Sequence, residues 1–204
     1  MIILDQNNKQ IDTTKIEVVE QVLVEHFIKP NDSVLELGAR YGSVSCTINK
    51  ILSDKSKQVS VEPDERVWDA LELNKLNNDC HFEIVKGFMS NKKMSLKNLN
   101  VYKGGYGSKS YEDSNSTIKS YTLENYDSQY NFNVLVADCE GFLEQFINEN
   151  KDFIKKLRLI IFEADYPKEC NYKYIRQFLK HNNFKEIIKG QQNIFIKQYY
   201  NYKP

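Results

Sequence analysis

Short apolar runs alternate with segments of helical periodicity along most of the chain. The apolar runs are typical of buried strands, and they lie at 33–37, 58–62, 81–86, 132–137 and 159–163. Apolar residues between these runs recur at helical spacing. This spacing predicts helices over 14–28, 43–52, 63–77, 142–157 (with a break near Glu149 and Asn150) and 171–181. Such alternation predicts an α/β fold with a mostly parallel sheet and helices on both faces.

The two ends of the chain depart from this alternation. Residues 2–11 are expected to form a small strand or hairpin, and Thr13-Thr14 offers an N-cap for the first helix. Residues 185–188 and 194–197 flank a Gly-Gln-Gln turn and predict a terminal β-hairpin. The sheet should therefore have seven strands and an antiparallel C-terminal hairpin.

The stretch 90–117 has no clear periodicity and contains Gly104-Gly105-Tyr106-Gly107-Ser108. Such a segment is either a binding loop or a mobile connector. A short strand at 117–121 and a single helical turn at 122–126 are expected after it. We interpret 88–120 as a substrate-side insertion in a single domain over 1–204, which begins with an N-terminal helix region at 1–30.

Length and charge narrow the functional class. A chain of 204 residues can bury one full α/β core. Lys plus Arg and Asp plus Glu number 28 each, so there is no general electrostatic attraction for a polyanion, and nucleic acid is disfavoured as a partner. The four cysteines are isolated, and neither a signal peptide nor a membrane-spanning run is visible. We therefore expect a cytoplasmic protein with reduced thiols and no membrane insertion.

Acidic residues stand at the ends of four predicted strands, namely Glu36, Glu62, Asp138 and Glu163. Ligands of open α/β sheets bind at the carboxyl ends of the strands. We therefore expect these four side chains to converge on one cleft. Glu62 lies 24 residues beyond Gly38, about where a nucleoside site places its ribose-binding acid.

The first strand turns through Gly38 and Gly42 into a helix whose unpaired N–H groups face the same cleft. Glu36 suits a ligand that carries a cation or hydroxyls better than one that presents only phosphates. This turn therefore favours S-adenosylmethionine (SAM). An NAD-binding oxidoreductase is disfavoured, because the spacing of the two glycines differs from G-x-G-x-x-G.

Between about Phe27 and Phe195 the sequence resembles the class I SAM-dependent methyltransferases, and specifically the FkbM family. The motifs that carry the resemblance are Glu36-x-Gly38-Ala39 with Gly42, Glu62-Pro63 with Asn74 and Asn77, Thr122-Leu-Glu124, Asp138-x-Glu140-Gly141, and the strand that ends at Glu163. The resemblance implies a Rossmann-like fold and an O-methyltransferase that acts on sugar or polyketide hydroxyls. Two positions depart from the family: Glu36 replaces its usual aspartate, and Val136 replaces its common lysine.

The motifs and the resemblance together predict three groups of site residues. The cofactor is expected to contact Glu36, Gly38, Ala39, Tyr41, Gly42, Ser43, Glu62, Pro63, Gly87, Phe88 and Asp138. Glu62 would bind the ribose, Gly87 and Phe88 would line the adenine, and the residues of the glycine turn would hold the methionine part. The acceptor is expected to contact Tyr106, Ser108, Tyr111 and His181.

The candidate catalytic residues are Asp138, Glu163, Asp165 and Glu140. Asp138 would orient or deprotonate the acceptor hydroxyl, whereas Glu140 would either join it or cap the following helix. Asp138, Glu163 and Asp165 could also hold Mg²⁺ or Mn²⁺, and a reaction without metal remains open.

The leading function is O-methylation of a sugar unit in a glycan or glycosylated metabolite. Two alternatives are a ribose 2′-O-methyltransferase acting on nucleic acid and a non-catalytic SAM-binding module, the latter favoured by Val136. A lid over the acceptor would come from the N-terminal helix, from residues 88–120 or from the second subunit of a homodimer.

Overall fold

A computed structural model describes residues 1–97 and 108–198. The strands are β1 (Ile3–Leu4), β2 (Gln10–Ile11), β3 (Val34–Leu37), β4 (Gln58–Glu62), β5 (Glu83–Lys86), β6 (Phe88–Met89), β7 (Met94–Lys97), β8 (Lys109–Glu112), β9 (Ser120–Tyr121), β10 (Val134–Ala137), β11 (Leu159–Glu163), β12 (Phe184–Ile188) and β13 (Gln192–Lys197). The α-helices are α1 (Val18–Phe27), α2 (Ser43–Ile51), α3 (Trp68–Asn77), α4 (Leu123–Tyr130), α5 (Leu143–Glu149), α6 (Lys151–Lys156) and α7 (Tyr172–His181), and a 3₁₀ turn (Glu65–Val67) precedes α3.

Seven strands form one mixed sheet in the order β12-β13-β11-β10-β3-β4-β5. The five strands from β11 to β5 run parallel, and β13 pairs antiparallel with both β11 and β12. The predicted architecture is therefore confirmed. The strand order reverses between the neighbours β3 and β10, and a reversal of this kind opens a crevice at the carboxyl edge of a sheet.

The sheet is buried on both faces because alternate residues of its central strands feed two different cores. Leu35 and Leu135 pack into one core with α5, α6 and α7. Val34 and Val134 pack into the other with α1 and α2. This three-layer packing explains why the central strands are almost continuously apolar. It also makes Glu36 conspicuous, because this acid lies within a fully buried strand.

The N-terminal hairpin is confirmed, since β1 pairs antiparallel with β2. The side chain of Asn74 holds it in place: Asn74 Oδ1 accepts from Leu4 N at 2.8 Å, and its Nδ2 donates to the carbonyls of Leu4 and Tyr41 at 2.8 and 2.9 Å. Asn74 is fully buried. Its observed contacts are therefore structural, and they join the hairpin to the glycine turn.

The predicted start of the first helix is wrong, because α1 begins at Val18 and its N-cap is Glu17 in a left-handed conformation with φ 54°. Asp12 explains the difference. Its Oδ1 accepts from both the backbone N–H and the hydroxyl of Thr14, at 3.1 and 2.6 Å. Asp12 therefore caps a separate turn, in which Lys15 N and Ile16 N also donate to its carbonyl oxygen, and the α-helix begins only after this turn.

The helix predicted to begin at Pro63 also starts later. Glu62 and Asp64 hold the intervening residues in a turn, because Asp64 N donates to Glu62 Oε1 at 2.8 Å and Asp64 Oδ1 accepts from Arg66 N at 3.1 Å. The 3₁₀ turn Glu65–Val67 follows before the α-helix begins. The helix α4 is longer than the single turn predicted, because both of its end residues, Leu123 and Tyr130, are buried.

The predicted loop at 90–117 contains regular structure. β7 pairs antiparallel with β8, and β6 pairs parallel with β9. The short strand expected at 117–121 is confirmed as β9, while Gly104-Gly105-Tyr106-Gly107 lies outside the described residues. Within residues 1–97 and 108–198, none of the helices combines the length and the apolarity needed to cross a bilayer.

Candidate active site

A cleft opens at the carboxyl ends of the central strands and spans ≈ 720 Å³, including space that is open to solvent. Glu62 and Asp138 both line it, together with Gly38, Pro63, Gly87 and Phe88. A smaller cavity of ≈ 420 Å³ adjoins it and shares Glu17, Leu37, Gly38 and Asp138 with it. Glu36 and Glu163 line this second cavity. The four strand-end acids therefore surround two neighbouring spaces.

Gly38 is required by backbone packing. Its φ is +88°, and a Cβ at this position would lie 1.7 Å from the carbonyl oxygen of Asp138. Only glycine allows the ends of β3 and β10 to approach so closely. The contact places the loop after β10 directly beside the glycine turn. Gly42 is required mainly by its left-handed backbone, with φ +85°, since the nearest atom to a Cβ there would be the side-chain methyl Leu71 Cδ1 at 2.7 Å.

Glu36 is almost completely buried on the side of the sheet that faces α1 and α2. Its Oε2 accepts hydrogen bonds from Ser45 Oγ and Ser60 Oγ, both at 2.6 Å. Burial raises the pKa of Glu36 to about 7, and the two hydroxyl donors oppose that shift only in part. The carboxyl group therefore titrates near neutral pH.

Glu62 is held rigidly at the tip of β4. Its Oε2 accepts from the backbone N–H of Arg40 at 2.7 Å, and its Oε1 accepts from that of Asp64 at 2.8 Å. Burial raises the pKa of Glu62 to about 7, against the stabilising effect of these donors. Arg40 has a left-handed backbone with φ 47°, and its guanidinium contacts Asp64 at 3.0 Å.

Asp138, Glu163 and Asp165 form a carboxylate cluster in which one oxygen from each lies within 4.8 Å of the others. Burial and the negative charge of Glu163 raise the pKa of Asp138 well above its usual range. Gln191 Nε2 donates to Glu163 at 2.6 Å, and Tyr172 OH donates to Asp165 at 3.0 Å. The cluster can therefore hold a proton between two of its acids or bind an oxygen-preferring cation.

The structure does not bring every predicted cofactor residue to the cleft. Tyr41, Gly42 and Ser43 line neither cavity, whereas Ala39 lines the smaller one. The Tyr41 hydroxyl bonds to Gln6, and the Ser43 hydroxyl bonds to Glu17. Both side chains therefore hold the N-terminal segment against the glycine turn by hydrogen bonds.

The predicted acceptor residues are also scattered. Ser108 lines the cleft, and its neighbour Ser110 lines it in place of Tyr111, which is 39% exposed. This follows from strand alternation in β8. His181 is the last residue of α7, and β12 begins shortly after it. The start of β12 pairs with the end of β13, and the end of β13 pairs with the start of β11. His181 therefore lies at the opposite end of the sheet, and its predicted role is not supported. Tyr106 lies outside the described residues.

Sequence reasoning missed Glu17, Arg40 and Ser110. Glu17 lines both cavities, and burial raises the pKa of its carboxyl group. Arg40 lies between two residues of the recognised turn, and its side chain is largely buried against Asp64. For Arg40, the sequence signal that could have identified it was its position inside the glycine turn, between Ala39 and Tyr41. A polar residue ahead of an amphipathic helix, such as Glu17, gives none.

The small cavity has an unusual charge balance. Five acids line it, namely Glu17, Glu20, Glu36, Asp138 and Glu163, and no Lys or Arg belongs to its described lining. Val136, which stands where the FkbM family commonly has lysine, also lines this cavity. The space therefore favours a cationic ligand group.

Solved structures with the same architecture include several methyltransferases. Precorrin-6y C5,15-methyltransferase from Geobacter metallireducens GS-15 aligns with a TM-score of 0.58 at 10% identity, over 92% of this chain and 90% of that one. An O-methyltransferase from Bacillus cereus in complex with SAH aligns with a TM-score of 0.51 at 13% identity, over 92% and 82%. Ribosomal protein L11 methylase from Lactobacillus delbrueckii subsp. bulgaricus gives 0.51 at 13%, over 92% and 81%.

No family profile matches the sequence, and no curated protein matches it. At the identities of the structural alignments, the likeness establishes the fold alone. The chain shares a Rossmann-like α/β fold with these methyltransferases.

Proposed function

We propose that this protein is a SAM-dependent O-methyltransferase whose acceptor is a sugar hydroxyl in a glycan or glycosylated metabolite. The observation that carries the proposal is the placement of Glu62 and Asp138 on one cleft, beside a cavity that is rich in carboxylates. The fold shared with methyltransferases supports the reaction class. The sugar acceptor rests on the resemblance to the FkbM family.

The residues present fit SAM in three places. Glu62 can accept from the two ribose hydroxyls, because backbone donors hold its carboxylate at the cleft wall. Leu37, Val61, Phe88, Met89 and Phe142 supply an apolar lining for the adenine. The small cavity, with five acids and no base in its described lining, suits the ammonium of the methionine part.

Bound SAM would supply an electrophilic methyl group: as the acceptor oxygen bonds to the methyl carbon, the carbon–sulfur bond breaks and the neutral thioether SAH leaves. Asp138 lies where the two cavities meet, so we place the acceptor hydroxyl at its carboxylate. Asp138 would orient that hydroxyl and take its proton. Glu163 assists, because its charge raises the pKa of Asp138 and so makes the ionised Asp138 a stronger base.

A divalent metal at Asp138, Glu163 and Asp165 is a second candidate for the same step, supported by their spacing. Mg²⁺ or Mn²⁺ would polarise the acceptor hydroxyl and offset the repulsion between the acids. Loss of transfer with a chelator, followed by recovery with Mg²⁺ or Mn²⁺, would establish the metal. Transfer that continues unchanged in the chelator would remove it.

The test of the proposal is methyl transfer from isotope-labelled SAM to a panel of oligosaccharides and a short RNA, with the product identified by mass spectrometry. A labelled ether at a sugar hydroxyl is the expected result. Labelled short RNA with unlabelled sugars would favour the ribose 2′-O alternative. Tight SAM binding without transfer to any acceptor would favour the binding module, for which Val136 in the small cavity is the supporting feature.

A further inference from the structure

A second groove continues from the cleft and has no counterpart among the predicted site residues, apart from Glu140. It spans ≈ 860 Å³ between β8 and α5, including space that is open to solvent. Three residues, Ser110, Glu140 and Phe142, line both the groove and the cleft. Within the part of the chain that the structure describes, the groove and the cleft therefore adjoin at these three residues. We call this space the α5 groove.

The α5 groove meets the cleft at its reactive end. Glu140 stands at the junction, two residues after Asp138, and has a left-handed backbone with φ 51°. Gly141 follows with φ +90°, and a Cβ there would lie 3.3 Å from the Cβ atoms of Glu169 and Tyr166. Strain at a non-glycine residue is maintained by tight surroundings and is common at functional sites. This turn aims the loop after Asp138 into the groove.

The opposite flank of the cleft also carries a groove, lined by Pro63, Asp64, Trp68 and Lys86 among others. It meets the cleft at Leu96 and at Pro63 and Asp64, the last two of which directly follow the ribose-side acid Glu62. An acceptor bound there would lie at the nucleoside end, away from Asp138. The α5 groove is therefore the better placed of the two for an acceptor.

The chemistry of the α5 groove indicates the class of acceptor. Its described lining contains four carboxylates (Glu140, Glu144, Glu149 and Glu169), the amides Gln145 and Asn148, and two lysines. Both lysines are paired with acids of the protein: Lys92 with Glu112 at 2.6 Å, and Lys109 with Glu169. Amide groups serve hydroxyls as donors and acceptors, whereas the excess of carboxylates attracts an ammonium group and repels phosphate or uronate.

We infer that the α5 groove binds the acceptor, and that the acceptor is a polyhydroxylated molecule carrying a protonated amino group, as an amino sugar does. This inference rests on the proposed function for the identity of the reaction. The groove itself can be tested by binding alone.

The test is calorimetric titration of the full chain at low salt, with and without saturating SAH. The probes are a glucosamine trimer, maltotriose, trigalacturonate and a short single-stranded RNA. The glucosamine trimer should bind most tightly and trigalacturonate most weakly. Glu144→Gln should weaken trimer binding about 2- to 5-fold, as expected for a partly exposed charge pair. Lys109→Met should strengthen it, because it leaves the charge of Glu169 unpaired.

Glu25→Gln is the matched control, since Glu25 is exposed on α1 and lines neither the cleft nor either groove. It should change nothing, and circular dichroism should show that all variants fold. The inference is overturned if no probe binds, or if trigalacturonate or RNA binds at least as tightly as the trimer. It is also overturned if Trp68→Ala weakens trimer binding while Glu144→Gln does not. Failure of SAH to bind would refute the proposed function. It would not affect the test of the groove, because the trimer is also titrated in the absence of SAH.

Discussion

Glu36→Gln should stabilise the protein at alkaline pH and have little effect at acidic pH. Glu36 is fully desolvated and accepts from Ser45 and Ser60 through a single oxygen, Oε2. The amide oxygen of glutamine can accept from the same two hydroxyls, so the substitution removes the charge and keeps the shape. Any change in stability should therefore report the ionisation of Glu36.

The magnitude follows from the pKa. Burial raises it from 4.5 to about 7 in the folded protein. The folded state then binds the proton more tightly than the unfolded state. The contribution of Glu36 to stability is thus fully present below pH 4.5 and is lost as the pH rises through about 7. With this difference in pKa between the folded and unfolded states, ionisation of Glu36 lowers the free energy of unfolding by about 3 kcal/mol at pH 8 and by less than about 1 kcal/mol at pH 5.

Urea denaturation of wild type and Glu36→Gln at pH 5 and pH 8 measures the difference directly. The advantage of the variant should grow by about 2–3 kcal/mol between these two pH values. Glu25→Gln, on the exposed face of α1, should show no such growth. An equal difference at both pH values, or a variant less stable than wild type at pH 8, would refute the assignment of a buried, ionising Glu36. The same variant should bind SAM more weakly, because the small cavity would lose one acid.

Three further predictions follow from the same geometry. Glu62→Gln should weaken SAM and SAH binding by about 1–3 kcal/mol in calorimetry, because it removes a charged acceptor for the ribose hydroxyls; unchanged affinity would place the ribose elsewhere. Asp138→Asn should still bind SAM but transfer methyl groups at least about 100-fold more slowly in the labelled-SAM assay, and wild-type turnover in this variant would exclude Asp138 from the chemistry. Arg158→Met should lower the free energy of unfolding in urea by about 3–5 kcal/mol, since Arg158 Nε contacts the buried Asp32 at 2.6 Å. The substitution should leave SAM affinity intact, because Arg158 immediately precedes β11, at the end of the sheet away from the cleft. A change in SAM affinity would contradict this location of the cofactor site.

The location of the acidic residues at the ends of the strands could be predicted, because buried strands are recognisable from the local sequence. Val134–Ala137 is apolar on both faces and Val34–Leu37 is apolar except at Glu36, a pattern typical of a parallel strand buried on both faces. The acids at or just beyond such strands then share one edge of the sheet by topology. The order of the elements and the C-terminal hairpin followed from the same reasoning. The first residues of the helices were harder to predict, because they depend on which backbone N–H groups donate to the carboxylates of Asp12 and Asp64.

The amino-acid sequence by itself determined the α/β alternation, the glycine turn and the acids at the strand ends, because these depend on periodicity and on conformations available mainly to glycine. Only the tertiary structure decided which side chains share a space. It placed His181 at the wrong end of the sheet, turned Tyr111 outward and brought Glu17 between the two cavities. It also showed that Gly38 is needed for the approach of the Asp138 carbonyl. These outcomes depend on contacts between residues far apart in the chain, which no local pattern encodes.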